Sequence, residues 1–91
     1  MRSSNTKRHK YKINTVEQAK TVSKNFLKSI ELDKAVDFGL PEIDDRYHIW
    51  RVPIKSKMAD VIGEIVIDAL TTLINEKKST NKELLESRLL G

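Results

Sequence analysis

Cysteine is absent from this 91-residue sequence, which excludes disulfides and thiolate metal sites. The absence fits a reducing compartment, and a cytoplasmic protein is the expectation. Histidine is nearly absent too. His9 and His48 are the only two, and no third ligand is spaced to join either, so no metal site is expected. Apolar runs are short and the N-terminus is polar, which predicts neither a membrane span nor a signal peptide. No Gly-rich phosphate loop, nucleophile elbow or Ser-His-Asp set occurs, so no catalytic residue and no cofactor is expected. With one Trp, two Tyr, two Phe and 38% apolar residues, one modest core is possible and a deep substrate pocket is not. Chains this short often gain stability from a partner or a second copy.

What the sequence does have is an uneven charge. Arg2, Lys7, Arg8, Lys10 and Lys12 fall within residues 1–12 without one acid, while the rest of the chain holds twelve basic and thirteen acidic residues. The whole excess therefore sits on a terminal arm, and residues 1–13 read as a disordered basic arm. Such an arm can grip DNA or RNA phosphates by releasing counterions.

From residue 14 the pattern becomes periodic. Asn14 or Thr15 can cap a helix, with Glu17 or Gln18 as the returning partner. Val16, Ala19, Val22, Phe26, Leu27 and Ile30 follow at helical spacing, with Lys20, Lys24 and Lys28 on the other side. One apolar stripe cannot hold such a helix in water, so it should lie across a sheet. Val36, Phe38 and Leu40 alternate as a first strand that Pro41 ends or confines to an edge. Glu42, Asp44, Asp45 and Arg46 read as a polar turn. In the second strand His48, Trp50, Val52 and Ile54 share one face and Tyr47, Ile49, Arg51 and Pro53 the other.

Two readings compete for Ala59 to Lys77. Met58, Ile62, Ile65, Ala69 and Leu73 fit a helical stripe, but "VIGEIVI" is rich in β-branched residues, and Gly63 in a helix interior costs about 1 kcal/mol relative to Ala. A third strand with a bulge or close approach at Gly63 is favoured. In "TNKELLESRLLG", Thr80 and Glu83 form a capping box for a short helix. The expected fold is α+β: one amphipathic helix on a three-stranded antiparallel sheet at residues 14–78, with a C-terminal helix at 79–91.

The segment "GEIVIDALTTLI" resembles the end of the PepSY-like, cystatin-type small domains, which pack one helix on an antiparallel meander. Gly63, Glu64, Ile67, Asp68, Thr71 and Ile74 match the pattern of those domains. The resemblance implies that Asp68 serves the turn by accepting a backbone bond from the Thr that follows. Thr72 departs from the pattern, standing where those domains carry a turn glycine. More loosely, a sheet of this size followed by "ST…ELLxxRLL" is similar to antitoxin partners of PIN-type ribonuclease toxins.

Each candidate site has a plain alternative. His48 reads most simply as a strand residue, and the adjacent Asp44 and Asp45 as turn formers. Trp50 reads as the core anchor, which leaves little stacking surface for nucleic acid. Lys82, Leu84, Leu85, Arg88, Leu89 and Leu90 stand out at the C-terminus. They read as a partner-binding helix in which leucines dock and Arg88 plugs an acidic nuclease site. The competing reading folds this segment onto its own sheet. The expected function is thus a non-catalytic protein-interaction module, an antitoxin for a toxin nuclease, with a sheet edge available to a homodimer. The alternative is nucleic-acid binding by the arm and an Arg46/Arg51 face.

Overall fold

A computed structural model describes residues 10–90. Helix α1 (Val16–Ser29) starts where the capping box places it. Gln18 N–H donates to Thr15 Oγ1 at 3.1 Å, and Thr15 N–H donates back to Gln18 Oε1 at 3.1 Å. Its far end closes with Leu32 N–H on Leu27 C=O (2.9 Å) and Glu31 N–H on Lys28 C=O (3.1 Å). This paired closure needs a left-handed residue just past the helix, and Glu31 takes that role at φ 63°. The stripe Ala19, Ser23, Leu27 is buried against the sheet.

The sheet is antiparallel and has four strands: β1 (Val36–Phe38), β2 (Glu42–Asp44), β3 (Ile49–Ser56) and β4 (Val61–Asp68). The expectation of three strands is corrected here, and the reason is local. β1 and β2 both pair with the same side of β3, β1 with residues 54–56 and β2 with 49–51, and the register advances by one residue between them. They are two halves of one edge strand, broken at Gly39-Leu40-Pro41. Pro53 of β3 faces this break and has no N–H to donate, so a ladder bond is missing there in any register. Gly39 N–H still donates to Pro53 C=O at 2.9 Å. A Cβ on Gly39 would come within 2.9 Å of the Pro53 ring, so the close approach needs glycine. Glu42 to Asp44, expected in a turn, is strand; the turn starts at Asp45.

The ambiguous segment is a strand. Ile54 pairs with Gly63 but Lys55 pairs with Val61, so Ile62 is an extra residue. That bulge reverses the alternation: Ile62 turns into the core and Val61 stays out. After β4, Asp68 Oδ1 accepts N–H bonds from Leu70 (2.8 Å) and Thr71 (3.0 Å). Thr72 holds φ 69°, the left-handed conformation a glycine would take without cost. Helix α2 (Lys82–Leu90) follows.

The core lies between the sheet and the helices. Trp50, Val52, Ile54, Ile65 and Ile67 face α1, and Leu85 of α2 joins them. Tyr11 and Ile13 are buried in the same cluster, and the Trp50 indole donates to Ile13 C=O at 2.8 Å. The ordered domain therefore begins before residue 14, and the boundary of the basic arm is corrected to that extent. Lys12 and Ile13 N–H both donate to Ala69 C=O (2.8 and 3.2 Å), which ties this entry segment to the end of β4.

Candidate functional site

The C-terminal segment is built onto the outer edge of β4. Thr80 N–H donates to Glu64 C=O (2.9 Å), and Glu64 N–H donates to Thr80 Oγ1 (3.0 Å). Thr80 is thus a rung on the strand and not the helix cap expected from sequence. Asn81 caps instead, its Oδ1 accepting from Leu84 N–H at 2.8 Å. Gly63 makes the approach possible, because a Cβ there would fall 2.7 Å from Thr80 Oγ1.

From this anchor α2 runs back along β4 toward the β3–β4 turn. Leu85 is fully buried and Leu89 packs on the core. The Arg88 guanidinium donates from Nη1 to Ile62 C=O at 2.7 Å. The expected partner-binding helix is corrected accordingly: Leu85 belongs to the protein's own core and one Arg88 donor is used internally. The physical reason is that Leu85 and Leu89 gain more on an available sheet face than in water, where so short a helix does not hold. Lys82, Leu84 and Leu90 remain outside, with Leu84 45% and Leu90 90% exposed. Beside the Arg88–Ile62 bond stand Val61 (66% exposed) and, in the hairpin turn, Met58 (84%). The β3–β4 hairpin therefore exposes Met58 and Val61, and α2 exposes Leu84 and Leu90. Sequence reasoning missed Met58 and Val61; the glycine two residues after Val61 was the signal that the strand alternation breaks there.

The turn between β2 and β3 carries charge. Tyr11 is buried while its hydroxyl donates to Asp45 Oδ1 (3.2 Å) and lies 2.9 Å from His48 Nδ1. A phenol has one proton, so the network closes with Nδ1–H of His48 donating to the phenol oxygen. His48, half-buried at φ 56°, is thereby a structural member of the turn. Lys10 and Lys12 are exposed beside this cluster; Arg2, Lys7 and Arg8 lie outside the described residues. On the same turn, Tyr47 is exposed with Arg46 and Lys78 each 5.3 Å from its ring centroid.

The Arg46/Arg51 face is divided by its acids. Arg46 donates from Nε and Nη2 to Asp44 at 3.3 and 3.2 Å, and this hydrogen-bonded guanidinium holds the Asp44 carboxyl below the usual range. The same partner raises Arg46. Arg51 pairs with Glu64 at 3.0 Å across the sheet. Among the described residues, no three of His, Cys, Asp or Glu converge to hold a metal ion, and no helix is long and apolar enough to cross a membrane.

No family model, curated protein or solved structure matches this chain. The likeness to PepSY-like domains rests on its own motif residues alone.

Proposed function

We propose that this chain is a non-catalytic, cytoplasmic protein-interaction module, and that its partner docks on the exposed side of α2, at Leu84 and Leu90, and on the neighbouring hairpin residue Val61. The observation that supports this reading is that Leu84 and Leu90 stand exposed on a helix fixed from beneath by Leu85 and Arg88, while Val61 is exposed next to the Ile62 that Arg88 holds. A preorganised apolar surface loses little entropy on docking. The partner proposed from the tail sequence is a toxin ribonuclease that this chain neutralises. Lys82 and the free donors of Arg88 are the groups it would present to a carboxylate cluster.

The test is to assay the product of the neighbouring gene for ribonuclease activity and its inhibition by wild type and by Leu84→Asp with Leu90→Asp. Both leucines are exposed, so the double variant should melt like wild type and lose inhibition. Full inhibition by the variant would place the grip elsewhere. No inhibition by wild type would remove the toxin reading.

A second reading has an observation of its own. Tyr11 is clamped at the turn that carries Arg46, Tyr47 and, across from it, Lys78. Lys10 and Lys12, exposed on either side of Tyr11, therefore stand at the turn that carries an exposed aromatic, and Arg2, Lys7 and Arg8 precede them in the sequence. That pairing suits single-stranded nucleic acid. Five phosphate contacts would lose roughly a hundredfold in affinity between 50 and 200 mM salt. A salt-insensitive or undetectable complex with an oligonucleotide would end this reading.

A further inference from the structure

We infer that the open edge at β1 is a docking site for an acidic, extended segment of a partner protein, added to the sheet as a further strand between β1 and α1. The alternation of the ladder fixes which groups are available. Gly39 N–H points at Pro53 C=O, so the peptide groups of Asp37 also face β3 and those of Val36 and Phe38 point outward. The one-residue shift in register carries Ile43 of β2 into the same outward phase. Among the described residues, no hydrogen bond meets the outward peptide groups of Val36, Phe38 or Ile43.

A cleft of about 440 Å³ lies along this edge, lined by Lys20, Thr21 and Lys24 of α1 and by Asp33, Val36, Asp37, Phe38 and Lys57. Val36, 4% exposed, is its closed end, and the half-buried Phe38 supplies the reachable rung. Strand addition between a sheet edge and a helix draws affinity from main-chain bonds and selectivity from the walls. The wall carries Lys20, Lys24 and Lys57 against Asp33 and Asp37, and its helical side is basic. Asp37 is already neutralised by Lys57 at 3.0 Å, and among the described residues Lys20 and Lys24 have no acidic partner within ion-pair distance. A second copy of this chain is the wrong occupant, because pairing β1 with β1 would face two lysine rows across the joint. An acidic strand is the right one.

This site is separate from the exposed side of α2 and stands whether or not a toxin is the partner. The probe is an acetylated, amidated octapeptide of alternating Glu and Val, followed by amide NMR. In the free protein the Phe38 amide should exchange fast; saturating peptide should slow it at least tenfold. Lys20→Glu with Lys24→Glu should weaken binding at least tenfold. The same peptide N-methylated at alternate residues, with its charge intact, should not bind. Leu84→Asp with Leu90→Asp should bind like wild type. The proposal is overturned by a Phe38 amide that is protected in the free protein, by equal binding of the N-methylated peptide, or by dimerisation through this edge. An unchanged lysine variant, loss of binding in the leucine variant or no binding at all overturns it as well.

Discussion

Along the outer edge of β4, the N–H and C=O of Glu64, Val66 and Asp68 all find partners in Thr72, Leu73, Asn75, Ser79 and Thr80. Along β1 and β2 the outward groups of Phe38 and Ile43 find none among the described residues. Both are edges of one small sheet, and an unpaired edge invites other chains. The chain protects the first by folding its own residues 72–80 over it. Hydroxyls suit that task because each accepts as well as donates. Ser79 takes Val66 N–H at 2.8 Å and turns back toward Val66 C=O at 3.4 Å. The second edge is protected only by its brevity and by the break at Gly39-Leu40-Pro41, with three residues in each half. One edge has become interior. The other has been left as surface.

The comparison is broken most severely by detaching α2. Leu85→Ala removes a fully buried side chain and should cost about 2–5 kcal/mol. Amide exchange at Glu64 and Val66 should then accelerate toward the rate at Phe38, making the two edges alike. If those amides keep their protection while stability falls, the 72–80 segment closes the edge without the helix.

A smaller break is Ser79→Ala. It leaves the Val66 N–H without its partner in a buried place and should cost about 1–3 kcal/mol. Thermal melts measure the loss, and Ser79→Thr should restore most of it by returning the hydroxyl. A variant that melts with wild type would mean that the rung is met by water and the edge is less closed than its geometry.

Much of this was legible in the residues. The Thr15–Gln18 box, the strand over Val61–Asp68 and the irregular point at Gly63 follow from local chemistry, which sequence spacing records; the Thr71 bond to Asp68 was implied only by the resemblance, and the Leu70 bond was not expected. What was not legible depended on contacts far along the chain. Tyr11 looks like part of a basic arm until Asp45 and His48 are brought to it from 34 and 37 residues away. Pro53 looks like an ordinary edge residue until Gly39 is seen opposite it, and then the split of β1 from β2 is explained. Thr80 fits a capping box as well as Asn81 fits a single cap. Only the position of Glu64 decides between them. The leucine tail fitted a partner groove and its own sheet equally, because one apolar stripe does not say whose surface it covers.

The smallest effect falls at the end of the open edge, where Asp44 closes β2 and holds Arg46. Its carboxyl lies below the ordinary value of 3.8 because Arg46 donates to it by side chain and by backbone. A group depressed by folding contributes stability in full above its unfolded value and loses it as pH falls through the folded value. The window is therefore below pH 3.8, and above it acidification should leave this contribution untouched. The carboxyl ¹³C shift of Asp44 should titrate with a midpoint under 3.8. Urea midpoints of wild type and Asp44→Asn should differ near neutrality and converge only below that pH. The pair is solvent-facing, with the Arg46 side chain 79% exposed, so 0.5 M salt should shrink the difference. The rungs on β4 are peptide groups and hydroxyls, with no proton to gain in this range, so Glu64 and Val66 amides should stay protected while β2 loosens. A midpoint at or above 3.8, or simultaneous loss at both edges, would show that the β2 turn is not held by this pair.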